Sequence, residues 1–195
     1  MLIDPILSSV LILIAYLFGS ISAAIIVCKA MGLPDPRTQG SNNPGATNVL
    51  RLGGKKPAAI TLIVDMLKGF LPVMLAVVLK SDDLTLSLVA IAAFLGHLYP
   101  VFFGFKGGKG VATAFGVVLA LNWMVALLMV LTWLLIAYGL KISSIAALVA
   151  SALSPLYFWW LSGSYIFIIM SIFLTIMLFW RHRSNIQRLL NGTES

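Results

Sequence analysis

Long apolar runs dominate this sequence and restrict what it can fold into. Seven such runs can be distinguished, at roughly residues 5–30, 58–80, 84–103, 111–122, 123–140, 142–161 and 164–180. About 20 apolar residues allow a helix to cross the hydrocarbon core of a bilayer. The sequence therefore predicts an all-α, polytopic membrane bundle of about seven transmembrane helices, with residues 1–195 forming one integral membrane domain.

The composition agrees with a membrane protein. Hydrophobic residues make up 61% of the chain and charged residues only 10%, whereas soluble domains are about 45–50% apolar. The single cysteine, Cys28, excludes an intrachain disulfide and a cysteine-based metal cluster. Asp4 and the lack of a basic residue before the first run favour a first span over a cleavable signal peptide.

The fourth run, residues 111–122, is short. At 1.5 Å per residue it reaches only about 18 Å of a hydrocarbon core that is roughly 30 Å thick. It is either a short buried span that begins at Lys109 or a re-entrant segment.

Basic residues determine the predicted orientation. A six-span topology would put the three C-terminal arginines on the opposite side from Arg51, against the positive-inside rule. The same rule explains the excess of 13 Lys+Arg over 6 Asp+Glu, so the charge does not indicate a nucleic-acid partner. With seven spans and the N-terminus outside, the cytoplasmic side receives Lys29, Arg37, Arg51, Lys55, Lys56, Lys106, Lys109, Lys141, Arg181, Arg183 and Arg188.

The most distinctive polar segment is Phe-Lys-Gly-Gly-Lys-Gly at residues 105–110, the glycine-lysine loop. Glycine N–H groups and lysine ammonium groups suit a phosphate, and Lys109 and Gly110 open the fourth helix, whose N-terminus favours an anion. A Walker A loop would require glycine at Phe103 and Ser or Thr at Gly110, so ATP or GTP is not implied. The alternative is a hairpin turn that is basic for topological reasons alone.

The segment after the first span, residues 40–51, is the first polar loop. The hydroxyls of Ser41 and Thr47 can donate to phosphate oxygens, and Arg51 can bind them bidentately. A short interfacial helix is predicted from about residue 45 to residue 52. The alternative is a capped surface loop, because Ser and Asn are common turn residues.

Three polar residues within the apolar runs need a partner. His97, near the inner end of the third span, is either an interhelical contact or a proton acceptor or phosphate donor. Asp65 and Lys68 are three residues apart and share a face of the second span. Each costs roughly 2.5–3.5 kcal/mol near a bilayer centre, so both should face protein or water. We interpret them as a structural pair, with support of a site as the second interpretation.

Polar groups also flank the last two spans. Ser143 and Ser144 open the sixth span, as helix caps or as groups at the mouth of a site. His182 and Asn185 share a helix face in the tail, which is otherwise explained as a basic membrane anchor. In the predicted topology the loops after spans one, three and five and the tail all lie on the cytoplasmic face.

Together these segments resemble a known family. Residues 40–51, 96–113 and 182–189 are similar to those of the bacterial acyl-phosphate:glycerol-3-phosphate acyltransferases, and the likeness covers nearly the whole chain. One position departs from the family pattern, because Asn42 stands where the family usually has Gly. Asn tolerates a positive φ better than most residues, so the turn is expected to survive, while the side chain adds bulk beside a bound phosphate.

The resemblance implies an enzyme of the bacterial inner membrane with its active site on the cytoplasmic side. It would transfer a fatty acyl group from acyl phosphate to the sn-1 hydroxyl of glycerol 3-phosphate, giving lysophosphatidic acid and phosphate in the first step of phospholipid biosynthesis. The two substrates and membrane lipids are the expected partners. No cofactor, metal ion or nucleic acid is implied, and the sequence is compatible with a monomer without fixing the oligomeric state.

The site residues follow as hypotheses. Ser41, Arg51 and Lys109 are assigned to catalysis by neutralising charge and polarising the carbonyl. His97 is the protein alternative to the acyl phosphate's own oxygen as acceptor of the hydroxyl proton. Acyl phosphate is expected to bind Ser41, Asn43, Gly45, Thr47, Asn48, Arg51, Gly107, Gly108, Lys109 and Gly110. Glycerol 3-phosphate is expected to bind Lys106, Ser143, Ser144, His182 and Asn185.

Other functions are less well supported by the sequence. A thioester-dependent mechanism would use a His-x4-Asp dyad, but Phe102 follows His97 and Gln187 follows His182 at that spacing. A transporter of anions or organophosphates would need polar groups in both membrane halves, whereas the outer loops offer little beyond Lys80, Asp82 and Asp83. A lipid-binding scaffold would need the basic residues but not the glycines.

Overall fold

The computed structural model describes residues 4–194, which form helices and no strand. A 3₁₀ turn, Val101–Phe103, precedes the sixth α-helix. The predicted all-α class is confirmed. In chain order the α-helices are α1 (Pro5–Gly19), α2 (Ala23–Ala30), α3 (Ala46–Gly53), α4 (Lys55–Val78), α5 (Asp83–Leu98), α6 (Val111–Leu121), α7 (Trp123–Leu140), α8 (Ser143–Leu161), α9 (Tyr165–Arg181) and α10 (Arg183–Leu190).

The helices divide between two compact units, Met1–Ala120 and Leu121–Ser195. The first contains α1 to α5 and nearly all of α6, and the second contains α7 to α10. The assignment of the whole chain to a single domain stays a prediction.

The lengths of the helices suit a multi-pass membrane protein. Among the described residues, five segments are long and apolar enough to cross a bilayer: Pro5–Ala30, Lys55–Val78, Asp83–Phe103, Trp123–Leu140 and Ser143–Leu161. A sixth is obtained when α9 and α10, which meet at a bend of 59°, are counted as one span. With 11 residues, α6 reaches only about 17 Å. Each predicted apolar run thus corresponds to helix, while seven full crossings and the orientation of the termini stay predictions.

The first span contains an interruption that the sequence pattern does not indicate. Helix α1 ends at Gly19 and α2 begins at Ala23. At this break the carbonyl of Ile21 accepts a hydrogen bond from Lys68 Nζ of α4 at 2.8 Å. A helix end leaves backbone groups without intrahelical partners, so a buried ammonium group stabilises the interruption.

In the first unit, α1 packs against α5, and α4 packs against α1, α2, α3 and α5. The helices α1 and α5 approach each other closely at Gly96, where a Cβ would lie 2.3 Å from the carbonyl oxygen of Tyr16. One turn further on, the Tyr16 hydroxyl donates to the Tyr99 carbonyl at 2.8 Å. These contacts fix the C-terminal end of α5, which carries His97.

In the second unit, α8 packs against both α7 and α9. Large exposed aromatic side chains stand at the helix ends: Trp123 begins α7, Trp159 and Trp160 lie at the end of α8, and Tyr165 begins α9. Trp and Tyr are enriched where a bilayer meets water. Their placement suits helices whose ends lie at the membrane interface.

Candidate active site

The glycine-lysine loop packs against the end of α5 and against the first polar loop. A Cβ on Gly108 would lie 2.3 Å from His97 Nε2 and 2.9 Å from the carbonyl oxygen of Pro44. The Gly108 N–H also donates to the His97 carbonyl at 3.3 Å. Only glycine fits in this space, so the structure brings together two of the segments that the sequence predicted to bind phosphate.

The end of the glycine-lysine loop is the start of α6. Gly110 has φ +90°, a value that favours glycine, and its carbonyl accepts the Ala114 N–H at 2.8 Å. Helix α6 begins at the next residue, as predicted. Its first N–H groups and the positive end of its dipole therefore lie beside Lys109, an arrangement that favours an anion.

Asn48 organises the first polar loop. Its buried side-chain amide donates to the carbonyls of Pro36 and Gln39 at 2.9 and 3.0 Å, and its Oδ1 accepts the Ser41 N–H at 2.9 Å. Gly40, at φ +65°, leaves room for this amide. Asn48 is thus engaged in folding the loop and holds the backbone of Ser41 in place. Its assignment as a direct phosphate ligand is not tested by these contacts.

The short helix predicted at about residues 45–52 is present as α3. Ser41, Thr47 and Arg51 have exposed side chains. Asn42 takes φ +55°, so the turn that usually contains glycine tolerates asparagine, as expected.

A neighbouring arginine is already paired. The Arg37 Nη2 lies 2.6 Å from Asp35 Oδ2, and hydrogen bonds from Arg37 lower the pKa of Asp35. Arg37 therefore contributes less free charge to this region than the sequence alone suggests.

Asp65, Lys68 and His97 are buried together. Lys68 Nζ lies 2.8 Å from Asp65 Oδ1, and His97 Nδ1 lies 3.5 Å from the same oxygen. The expectation that the charged pair faces protein is confirmed. Asp65 also contacts His97, so the interpretation as a purely structural pair omits a neighbour that lies against the glycine-lysine loop.

A second polar cluster lies in the second unit. Ser144 Oγ donates to Glu194 Oε1 at 2.8 Å, Asn185 Nδ2 donates to the same oxygen, and Arg188 Nε lies 2.6 Å from Glu194 Oε2. His182 is buried and its Nδ1 donates to the Leu178 carbonyl at 2.8 Å. Two residues predicted to bind a phosphate, Ser144 and Asn185, thus converge on one carboxylate.

Sequence reasoning missed Glu194 and Arg188 as members of this cluster. Burial raises the pKa of Glu194, but hydrogen bonds from Asn185, Ser144 and Arg188 outweigh it and hold the pKa below its usual value. The only signal in the sequence was that Glu194 is the single glutamate of the chain. Of the other residues assigned to glycerol 3-phosphate, Ser143 is exposed in the second unit and Lys106 is exposed in the glycine-lysine loop.

Within residues 4–194, no group of three His, Cys, Asp or Glu side chains could hold a metal ion. The phosphate-suited groups of the first unit are hydroxyls, backbone N–H groups, an arginine and lysines.

Several bilayer-length helices, with glycine and lysine at a helix start, define a multi-pass membrane protein with a candidate anion site. Comparison with known proteins is more specific. The family model described as Glycerol-3-phosphate acyltransferase matches residues 9–192, and the chain belongs to this family. The resemblance noted in the sequence is thus confirmed.

Relatives and solved structures match this chain over all or most of its length. The glycerol-3-phosphate acyltransferase of Ruthia magnifica subsp. Calyptogena magnifica is 52% identical over 100% of this chain and 98% of its own. The glycerol-3-phosphate acyltransferase of Hydrogenovibrio crunogenus is 56% identical over 92% of this chain and 87% of its own. The crystal structure of PlsY (YgiH), an integral membrane glycerol 3-phosphate acyltransferase, in its glycerol 3-phosphate form has 42% identity and a TM-score of 0.93, covering 96% of this chain and 94% of its own. Its lysophosphatidic acid form has a TM-score of 0.89 with 41% identity over the same shares of the two chains.

Proposed function

We propose that this protein transfers a fatty acyl group from acyl phosphate to the sn-1 hydroxyl of glycerol 3-phosphate, giving lysophosphatidic acid and inorganic phosphate. Family membership supports the acceptor and the type of reaction, because related structures are described in glycerol 3-phosphate and lysophosphatidic acid forms. The observation that carries the proposal is the contact of Gly108 with Pro44 and His97. It joins a lysine-bearing loop to a loop that carries exposed Ser41 and Arg51.

The reaction needs little covalent chemistry from the protein. The acceptor hydroxyl oxygen attacks the acyl carbonyl carbon, a new C–O ester bond forms, and the C–O bond to phosphate breaks. The phosphate departs with the electron pair of that bond. Since phosphate is already a good leaving group, orientation of the two bound substrates supplies much of the rate.

The groups of the first unit act on the acyl phosphate. Ser41 and Arg51 donate to its phosphate oxygens, and Arg51 does so bidentately. Lys109 and the backbone N–H groups of residues 107–110 neutralise charge at the start of α6 and polarise the carbonyl. Asn43, Gly45 and Thr47 complete this side of the binding site, with Asn48 holding the backbone that carries Ser41.

The groups of the second unit act on glycerol 3-phosphate. Ser144 and Asn185 already hold the Glu194 carboxylate, and the donors that recognise a carboxylate also recognise a phosphate. Ser143 and His182 are the further ligands proposed there. The hydroxyl proton goes to an oxygen of the acyl phosphate, with His97 as the protein alternative.

The side of the membrane on which the reaction is proposed to occur follows from the predicted topology. Basic loops on the inner face of a bacterial cytoplasmic membrane meet soluble glycerol 3-phosphate, while the acyl chain stays in the bilayer. The product therefore forms where phospholipid synthesis uses it.

Purified protein in liposomes tests the function directly. Supplied with palmitoyl phosphate and labelled glycerol 3-phosphate, without CoA or acyl carrier protein, it is expected to form labelled lysophosphatidic acid. Uptake of label into the liposomes without product would indicate a transporter instead. Product formed only from a thioester donor would contradict the acyl phosphate assignment.

Lys109→Ala tests the charge clamp. Loss of one donor that stabilises the transition state costs about 10²–10³-fold, so kcat/KM should fall by about this factor while the protein remains monodisperse in detergent. Lys55→Ala removes an exposed lysine at the start of α4 and serves as the control with unchanged kcat/KM. Normal turnover of Lys109→Ala would remove this residue from the site.

A further inference from the structure

Asp65 of α4 contacts the segments on both sides of the glycine-lysine loop. Its Oδ1 lies 3.5 Å from Nδ1 of His97, at the end of α5 ahead of the loop. Its backbone carbonyl accepts a hydrogen bond at 2.9 Å from the hydroxyl of Thr113, in the first turn of α6 behind the loop. Asp65 therefore contacts both helix ends that flank this loop, the end of α5 and the start of α6.

Packing alone does not explain a charge at this position. Asp65 and Lys68 each expose only 3% of their surface, and burying two charges costs several kcal/mol per ion before pairing. Replacing a buried ion pair by apolar residues of similar volume is often neutral or stabilising. Lys68 is accounted for by its hydrogen bond to the Ile21 carbonyl, whereas packing alone does not require a carboxylate at position 65.

The carboxylate has a specific effect on His97. A carboxylate beside one ring nitrogen of histidine fixes the tautomer and the orientation of the ring. Here Asp65 faces Nδ1, while Nε2 lies on the side of Gly108, where a Cβ would approach it to 2.3 Å. The ring is thus held between the carboxylate and the glycine of the loop, and a rotation of the ring would displace the loop.

We propose that Asp65 is a positioning residue that acts through His97 to set the geometry of the glycine-lysine loop. Lys68 compensates the charge of Asp65 within the membrane segment. The effect on catalysis rests on the proposed function, because the loop is where the acyl phosphate binds, whereas the effect on ligand binding is measured without turnover.

The test is a double-mutant cycle on purified protein. Asp65→Asn removes the carboxylate and keeps the shape of the side chain. It also keeps the backbone carbonyl of residue 65, which accepts the hydrogen bond from Thr113. Misplacement of a catalytic loop costs up to about a hundredfold, so we expect kcat/KM for acyl phosphate to fall by about tenfold or more, mainly through KM. In a His97→Ala background, the same substitution should cause no further loss, since coupled residues are non-additive.

Thr61→Val is the matched control. Thr61 is buried one turn before Asp65 on α4, and its hydroxyl makes no hydrogen bond within residues 4–194. Its substitution is expected to leave kcat/KM within about twofold, because similar-volume changes away from the network couple weakly. An equal loss in Thr61→Val would mean that any change on this face of α4 matters, and would overturn the proposal.

Two other outcomes would overturn it as well. The first is a loss from Asp65→Asn that is equally large with and without His97. The second concerns folding: if Asp65→Asn leaves Lys68 unpaired and does not fold, Asp65→Asn with Lys68→Gln replaces it, removes both charges and keeps a donor for the Ile21 carbonyl. Failure of this pair to fold would show a structural role only.

A second readout separates this inference from the proposed function. A ligand that binds the folded protein raises its melting temperature in proportion to RT ln(1 + [L]/Kd). A non-transferable acyl phosphonate should therefore raise the melting temperature of the wild type more than that of Asp65→Asn. In the His97→Ala background, it should raise the melting temperature by the same amount whether or not Asp65→Asn is also present. Absence of acyl transfer by the wild type would refute the function alone, and equal stabilisation of wild type and Asp65→Asn would refute the positioning role alone.

Discussion

His97 shows why the exact surroundings of one side chain decide between roles. It lies in the last turn of α5 with Asp65 on one side and Gly108 on the other. A histidine placed in this way can hold a loop, accept a proton or do both. Its sequence position alone left these roles open, because Asp65 is more than thirty residues away in the chain.

His97→Gln distinguishes a proton acceptor from a residue that supports the loop. We expect kcat at saturating substrates to fall by only a few fold, because an oxygen of the acyl phosphate accepts the proton. Removal of a general base would cost about 10²–10⁴-fold. A loss of that size, in protein that is as monodisperse as the wild type, would assign the proton transfer to His97.

Glu194 gives a prediction for pH. Its pKa is lowered in the folded protein because the hydrogen bonds to its carboxylate outweigh its burial. A lowered folded-state pKa contributes stability that is present above the unfolded pKa, about 4.3, and is lost as the pH falls through the folded value. The contact of the tail with Ser144, Asn185 and Arg188 is therefore complete at neutral pH and lost only in acid.

Comparing melting temperatures of wild type and Glu194→Gln between pH 3.5 and 7 checks this. Hydrogen bonds to a charged group contribute about 1.5–3 kcal/mol, so Glu194→Gln is expected to melt several degrees lower at neutral pH. The difference should begin to shrink below about pH 4.3, where the carboxylate of the unfolded chain takes up a proton, and it should be lost as the pH falls through the lower pKa of the folded protein. A difference that grows as the pH falls would contradict the sign of this contribution.

At the scale of elements, the path of the glycine-lysine loop into α6 depends on the lack of a side chain at Gly108. A Cβ on Gly108 would meet His97 Nε2 at 2.3 Å and a backbone oxygen of Pro44 at 2.9 Å. The histidine ring has little room to move, and the backbone has less. An added methyl group must therefore shift the loop away from the first polar loop.

Gly108→Ala is expected to lower kcat/KM by up to about a hundredfold through this displacement, with little effect on the yield of folded protein. Gly139→Ala is the matched control, because a Cβ at this helical position in α7 meets nothing within 4 Å. Steady-state kinetics of both variants provide the comparison. Equal activities would show that the contact of Gly108 with His97 and Pro44 is not needed.

The elements that sequence reasoning predicted are those with local causes. Apolar runs of bilayer length predicted the long helices, the run at residues 111–122 predicted α6, and the first polar loop predicted a short helix where α3 lies. The break between α1 and α2 depends instead on Lys68, 47 residues from Ile21. The tail cluster likewise depends on a contact between Ser144 and Glu194 that spans 50 residues. Contacts of this kind leave no periodic signal in the sequence.

At the scale of the whole molecule, the proposed cytoplasmic position of the candidate site depends on the number of crossings. After Cys28→Ala, single cysteines at Lys80→Cys and Arg183→Cys report the two sides. A membrane-impermeant maleimide is expected to label Lys80→Cys in intact spheroplasts and Arg183→Cys only after permeabilisation, because basic segments stay inside. Labelling of Arg183→Cys in intact spheroplasts would contradict the seven-span topology.

The central claim is that the first polar loop and the glycine-lysine loop bind the phosphate of an acyl phosphate together. A crystal structure with a bound acyl phosphonate measures this directly. The account predicts phosphonate oxygens at hydrogen-bond distance, about 2.7–3.2 Å, from Ser41, Arg51 and Lys109 simultaneously. A phosphonate that contacts none of these three residues, or that lies at the opposite end of the helices, would contradict it.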